Sequence, residues 1–222
     1  MHLSEVIIIG GGIIGMLTAR ELHNAGVDLL VIERGPLGGE SSWAGGGIIS
    51  PLYPWRYSKS VNQLAEISKT IYPGLAHQLQ DESGVDCELI TSGLLFTGLE
   101  EQQQAESWAQ DWSVELKTIT DTRQIHQIEP QVSPAIDSGL WLPDIMQIRN
   151  PKLVKAIKGS FETLGIKYLE HTPVDELIIE AGVIKGVKTA NDTFTAVSYT
   201  HLRAHETTAS ISYAVFCLNR GG

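Results

Sequence analysis

Cysteine is nearly absent: Cys87 and Cys217 are the two in 222 residues, far apart and without C-x-x-C spacing, which excludes a disulfide framework and a thiolate metal site and fits a reducing compartment. Positive charge is also scarce. Sixteen Lys and Arg against 26 Asp and Glu leave a net charge of -10, and no basic cluster is interleaved with aromatics, so neither nucleic acid nor an anionic membrane is expected as a partner. Glycines interrupt every apolar run well short of a membrane span, and the five residues before the first run leave no room for a signal peptide. A cytoplasmic protein is expected. There is no internal repeat, no G-x-S-x-G, and His126 and His171 are isolated, so the sequence offers no nucleophile and base to pair. What is present, 42% hydrophobic residues and a mean hydropathy near zero, describes a globular chain able to bury a core.

The strongest pattern is in residues 6–33. Val6, Ile7, Ile8 and Ile9 form a short apolar, β-branched run suited to a parallel strand buried on both faces. Gly10, Gly12 and Gly15 follow as G-x-G-x-x-G: one glycine for a tight turn, one to let a pyrophosphate approach the backbone, one for close helix-to-sheet packing. Ile14, Leu17, Leu22 and Ala25 then share one side of a predicted helix, with Thr18 among them, and Gly26 can close that helix in a left-handed cap. Residues 27–32 read as a second strand, and Glu33 ends it. A carboxylate there, about twenty residues beyond the glycines, can accept hydrogen bonds from the ribose hydroxyls of a dinucleotide whose phosphates face the helix amides. A nicotinamide dehydrogenase would continue in further βαβ units. Here residues 34–51 are instead rich in Gly, Ser and Ala, with Trp43, Ile48 and Ile49 embedded among them, which is wrong for a solvated linker.

These residues carry a family resemblance. G-G-G-I-I-G at 10–15, V-I-E-R-G at 31–35 and G-G-E-S-S-W-A-G-G-G-I-I-S-P-L-Y-P-W-R-Y at 38–57 resemble the FAD-dependent amine and D-amino-acid oxidase family, and within it the glycine oxidase branch associated with thiamine biosynthesis. Weaker blocks follow at 147–151 and 170–174. The resemblance implies FAD as cofactor, with Gly10, Gly12, Ile13, Ile14 and Gly15 at the phosphates, Glu33 and Arg34 at the adenosine end, and Ser41 and Ser42 facing the pyrophosphate. It places Gly46, Gly47 and Ile48 beside the flavin ring and a backbone contact of Val174 near adenine. The reaction it implies is hydride transfer from the α-carbon of a small amino acid to the flavin, reoxidation by O2 to give H2O2, and hydrolysis of the imine. The protein mainly positions the substrate, so no catalytic side chain is expected in this chain; homo-oligomers are common in the family. The alternatives are an NAD-dependent dehydrogenase and a non-catalytic nucleotide-binding fragment.

The fold expected is α/β: a Rossmann-like FAD-binding domain, parallel sheet plus β-meander, with an inserted, largely antiparallel α+β substrate domain. Residues 1–85 would form the first part of the FAD-binding domain, 86–145 part of the substrate domain, and 146–196 the return. Along the way, residues 63–79 show helical spacing through Leu64, Ile67, Ile71 and Leu75 with Pro73 as an interruption, and residues 100–112 and 121–128 read as helices. Tyr53, Trp55 and Arg56 lie in a proline-punctuated loop; Arg56 could meet a substrate carboxylate, although an aromatic-anchored surface loop is preferred. Asn150-Pro151 opens a helix closed by Gly165, a strand follows, and residues 177–187 read as a hairpin before a third strand from Thr193.

The tail departs from this. Residues 197–222 show no period with which to continue the meander, and back-translated in one frame they resemble a transposase-type sequencing adapter (197–207) and the flow-cell primer that follows it (211–218). A non-native tail is therefore expected, with native sequence running on from about Ala196. His205 and Glu206 begin an H-E-x-x-H, but Ala209 stands at the second histidine position, so the tail makes no zinc site.

Overall fold

The structure, a computed structural model, describes residues 2–201. In chain order its elements are β1 (His2–Ile9), α1 (Ile13–Asn24), β2 (Leu29–Ile32), α2 (Ser41–Ala44), α3 (Lys59–Ser83), β3 (Ile90–Thr91), β4 (Leu94–Thr97), α4 (Gln102–Trp112), β5 (Lys117–Ile119), α5 (Thr122–Ile128), β6 (Gly139–Leu142), β7 (Met146–Gln147), α6 (Asn150–Leu164), β8 (Lys167–Leu169), β9 (Val174–Glu180), β10 (Val183–Thr189) and β11 (Thr193–His201). They fall into two compact units.

Of the described residues, the first unit comprises 2–46, 77–87 and 150–201. Its sheet has the order β8-β2-β1-β11-β10-β9, with β8, β2, β1 and β11 parallel and β9, β10 and β11 an antiparallel meander. The Rossmann-like sheet and its meander are as expected. Both faces of the parallel part are buried: Ile7, Leu30, Ile32, Val187, Phe194 and Ala196 cluster on one, while Ile8 and Val31 are fully buried on the other. The expected tail overlaps the described residues only at 197–201. The backbone of β11 continues alongside β1 through the pair Ile9–His201, so a strand does extend past Ala196; the remainder of the expected tail, from residue 202, lies outside the described residues.

Helix α1 corrects the sequence reading of its buried face. Gly15, Met16, Ala19 and Arg20 are buried, whereas Ile14, Leu17 and Leu22 are half-buried and Ala25 is exposed. Close packing needs small residues, and Gly15 and Ala19 provide them on the face that the larger aliphatics do not occupy. The helix ends as the sequence predicts: Gly26 takes φ +84°, its N–H donates to His23 O at 2.8 Å, and the Val27 N–H donates to Leu22 O at 3.0 Å, the paired bonds of a Schellman cap. A Cβ at Gly26 would meet nothing within 4 Å, so Gly26→Ala isolates the cost of the left-handed backbone, expected at about 1–2 kcal/mol in urea denaturation with nucleotide binding retained.

The second unit comprises 47–76 and 88–149. Residues 47–76, expected with the first domain, belong here, because Ile48 bridges to Gln147, and the Ile49 N–H donates to Met146 O at 2.9 Å. The unit is antiparallel throughout: β4-β6-β5 form one sheet and β3-β7 a ribbon. Phe96, Ala105, Trp108, Ala109, Leu140, Leu142 and Ile145 form its core. Asn62, 3% exposed, accepts from Trp108 Nε1 at 3.2 Å and donates to Pro54 O at 3.0 Å, tying helix, core and loop. α3 runs unbroken through Pro73, where the sequence suggests an interruption. Leu64, Ile67 and Ile71 on this helix are exposed, so the apolar spacing that predicts the helix does not mark a buried face. Among the described residues, no helix is long and apolar enough to cross a membrane.

Candidate functional site

The site is built at the carboxyl ends of β1 and β2 in the first unit, where an open α/β sheet leaves room for a ligand. Gly10 takes φ +106°, available to glycine without strain, and its N–H donates to Ile32 O at 2.9 Å. A Cβ at Gly15 would overlap the Gly10 carbonyl oxygen, so the third glycine of the motif is required by the first. A Cβ at Gly11 would overlap Leu37 and stand 3.0 Å from Glu33 Cβ; at Gly12 it would stand 3.3 Å from Ser42 Oγ. The turn is therefore a cradle of closely packed bare backbone.

Two side chains already address the amides of this turn. Glu33 accepts from the Gly11 N–H at 2.6 Å with one oxygen and from the Gly35 N–H at 2.8 Å with the other. Ser42, in the short α2, accepts from the Ile13 N–H at 2.9 Å, at the first residue of α1, where unpaired amides and the helix dipole favour a negative group. Glu33, Ser42, Gly12 and Ile13 are thus brought together, with Ile14 one residue further into the helix. Ser41 opens α2 and its carbonyl accepts from the Gly45 N–H at 3.0 Å. Arg34 is exposed and hydrogen-bonded to Glu40, whose carboxylate raises the guanidinium pKa.

Gly46 is exposed, and a Cβ there would meet nothing within 4 Å, so no neighbouring protein atom requires glycine at this position. Gly46 ends one segment of the first unit; Gly47, at φ +70°, and Ile48, partly buried beside the Phe96 cluster, belong to the second. Val174 opens β9, paired with Thr189 and packed against the Ile7 cluster.

Several groups escape the sequence reading. The carboxylate of Glu170, just past β8, accepts from the Leu37 N–H at 2.8 Å and from Lys158 Nζ at 2.7 Å. Burial alone would raise its pKa, but the bonds from Lys158 and Leu37 hold it below the usual carboxylate value. Arg20 on α1 is 2% exposed and binds Glu82 through Nη2 at 2.6 Å and Nε at 3.2 Å, and Ser160 of α6 donates to the same carboxylate. An arginine amid the apolar residues of a helix is a sequence signal for such a pair, but its acid lies 62 residues away. Burial pushes the Cys87 thiol up to about 11, with help from Asp86, which leaves it an unreactive core residue.

In the second unit, the Arg56 guanidinium is bound by the protein itself. Nε donates to Glu101 Oε2 at 2.8 Å, Nη2 binds Oε1, Trp55 Nε1 binds the same carboxylate, and the guanidinium lies 3.9 Å from the Tyr53 ring centroid. The loop is fastened by its aromatics and one ion pair, the reading the sequence favours. Among the described residues, no group of His, Cys, Asp and Glu could hold a metal ion.

Residues 5–204 match the family profile described as DAO, FAD dependent oxidoreductase. Glycine oxidase from Pseudomonas putida is 37% identical over 193 residues, covering 86% of this chain and 53% of that protein, and glycine oxidase from Pseudomonas aeruginosa is 37% identical over 187 residues, covering 84% and 51%. The crystal structure of glycine oxidase from Geobacillus kaustophilus superposes with a TM-score of 0.83 at 23% identity, covering 92% of this chain and 56% of that one. The chain spans about half the length of the curated relatives it matches.

Proposed function

The chain belongs to the FAD-dependent oxidoreductase family, and from that premise we propose that it is the N-terminal part of an amino-acid oxidase of the glycine oxidase kind, carrying the first part of its cofactor site and acting, in the whole enzyme, on a CH–NH2 group with O2 as electron acceptor. The products are H2O2 and an imine, which water converts to a 2-oxo acid and ammonia. The observation that carries this reading is the glycine cradle at residues 10–15, closed by Glu33 on the Gly11 amide and Ser42 on the Ile13 amide.

FAD, when bound, supplies the hydride acceptor and the route of electrons to dioxygen. The residues of this chain bind and orient it. The Ile13 and Ile14 amides and the Ser41 and Ser42 hydroxyls would hold the pyrophosphate at the start of α1, and the Glu33 carboxylate would accept from the ribose hydroxyls. Gly46, Gly47 and Ile48 would lie along the ring, Arg34 beside the adenosine, and the Val174 backbone near adenine. No side chain here is assigned to move a proton. Substrate-holding groups are assigned to the half of the relatives that this chain does not span, so the 222 residues alone are expected to release no peroxide from glycine. The preferred amine substrate, a cytoplasmic location and a homo-oligomeric full-length enzyme are part of the same reading.

Titration of the purified chain with FAD and ADP tests it. Saturable binding of both, with flavin retained through gel filtration, is expected. Binding of NAD in preference to FAD would sink the proposal in favour of a nicotinamide dehydrogenase, and binding of none of the three would remove the dinucleotide site.

A further inference from the structure

The block Glu170-His171-Thr172-Pro173-Val174 lies beyond β8, far in sequence from the glycine turn, yet its backbone runs against the loop that follows Glu33. The Glu33 N–H donates to Leu169 O at 2.8 Å, the Thr172 N–H to Glu33 O at 2.9 Å, and the His171 N–H to Gly35 O at 3.0 Å. His171 adopts φ +52°, a left-handed conformation that costs a β-branched or ordinary side chain energy and that surrounding structure must hold in place. On the other side of the same loop, Leu37 is 4% exposed, its side chain occupying the space a Cβ on Gly11 would need, and the next residue, Gly38, donates its N–H to Gly11 O at 2.7 Å. The segment 36–38 is thus the floor under the glycine turn.

One carboxylate anchors that floor. Glu170 takes the Leu37 N–H on Oε1 and Lys158 Nζ on Oε2; Lys158 stands on α6, with its Nζ 5.5 Å from the Tyr168 ring centroid. We propose that Glu170 is a positioning residue for the dinucleotide site, setting the height of Leu37 and Gly38 beneath Gly11 so that the turn presents its amides to the adenosine diphosphate half of the cofactor. The inference rests on the dinucleotide reading above. It assigns Glu170 no contact with the ligand.

Removal of the acceptor drops Leu37 away from Gly11 without touching Glu33, Ser42 or the glycines. The test is ADP binding by isothermal titration to the 222-residue chain, at a temperature well below each variant's unfolding transition. Glu170→Ala is expected to weaken ADP about tenfold. The double variant Glu170→Gln with Lys158→Met, which keeps an oxygen for the Leu37 N–H and removes the ammonium that would face the new amide, is expected to bind within threefold of the parent. That rescue separates positioning from bulk stability, which would shift the unfolding temperature and leave the affinity of the folded protein alone. Should Glu170→Ala not fold, Glu170→Asp keeps the charge beside Lys158 but withdraws it by one methylene, and is expected to weaken ADP at least threefold. ADP binding within twofold of the parent in Glu170→Ala and Glu170→Asp overturns the inference, as does a double variant as weak as Glu170→Ala. If the parent chain binds neither ADP nor FAD, the dinucleotide reading falls and this inference with it; if the parent binds and the variants match it, only this inference falls.

Discussion

Gly15→Ala is expected to reduce FAD affinity by more than a hundredfold and to destabilise the first unit at or beyond the upper end of the ~1–3 kcal/mol that overpacking usually costs. The added methyl would overlap the carbonyl oxygen of Gly10, a backbone atom in the turn itself, so neither partner can rotate away. Relief requires α1 to lift from β1 or the turn to open, and either displaces the Ile13 amide from the position that Ser42 addresses. Gly46→Ala is the matched control. Its methyl meets no protein atom within 4 Å, so the fold should be unchanged within about 0.5 kcal/mol, the usual range for substitutions away from packed features. If the flavin ring lies beside Gly46, that variant nonetheless loses FAD affinity while ADP binding stays at the parent value. Fluorescence titration with FAD and calorimetric titration with ADP read both effects; equal FAD affinity in Gly15→Ala and the parent would sink the cradle assignment.

Glu82→Ala is expected to cost about 3–5 kcal/mol in urea denaturation at neutral pH, the usual penalty for leaving a buried charge without its partner. Arg20 is 2% exposed, and after the substitution its guanidinium would keep hydrogen bonds only to Gln78 at 3.2 Å and Glu21 at 3.4 Å. Ser160 would lose its acceptor at the same time. Replacing Arg20 and Glu82 together by methionine should recover most of the loss, because the desolvation cost of both ions disappears with them. The pair also has a pH signature. Burial acts to raise the Glu82 pKa, but hydrogen bonds from Arg20 and Ser160, with the Arg20 charge, bring it below its ordinary value on balance. A carboxyl depressed in the folded state contributes stability that is fully present above its unfolded value, about 4.3, and that disappears as the pH falls through the lower folded value. The difference in stability between parent and Glu82→Ala should therefore be constant from neutral pH down to about 5 and shrink below that; a difference independent of pH down to 3 would contradict the assignment.

The parts of the fold that read cleanly in the sequence are those where local chemistry and tertiary role coincide. α6 runs from Asn150 to the residue before Gly165, as Asn150-Pro151 and Gly165 dictate. The Ala181-Gly182 hairpin, with φ +50° and +78°, is of the same kind. Periodicity misleads where the partner surface is unusual. In α1 it favours the side carrying Ile14, Leu17 and Leu22, whereas the buried side needs glycine and alanine for close approach and carries a charged Arg20 satisfied from afar. In α3 it finds a helix correctly, yet Leu64, Ile67 and Ile71, which carry the spacing, are exposed. The site follows the same division. Glu33 and the glycines are set by spacing, while Glu170 and Lys158 act through contacts 133 and 12 residues long, which no local pattern encodes.

The place of β1 in its sheet also bears on the order of events during synthesis. This strand pairs with β2 on one side, a neighbour that ends at Ile32, but its other neighbour is β11, which begins at Thr193. At roughly 5–20 residues per second, β1 waits on the order of ten to forty seconds for that edge to be covered. The second unit, whose strands pair within residues 48–147, is translated in full during the wait and can fold first. A nascent chain arrested before residue 193 would therefore carry the whole glycine motif on a sheet still open along one side of β1.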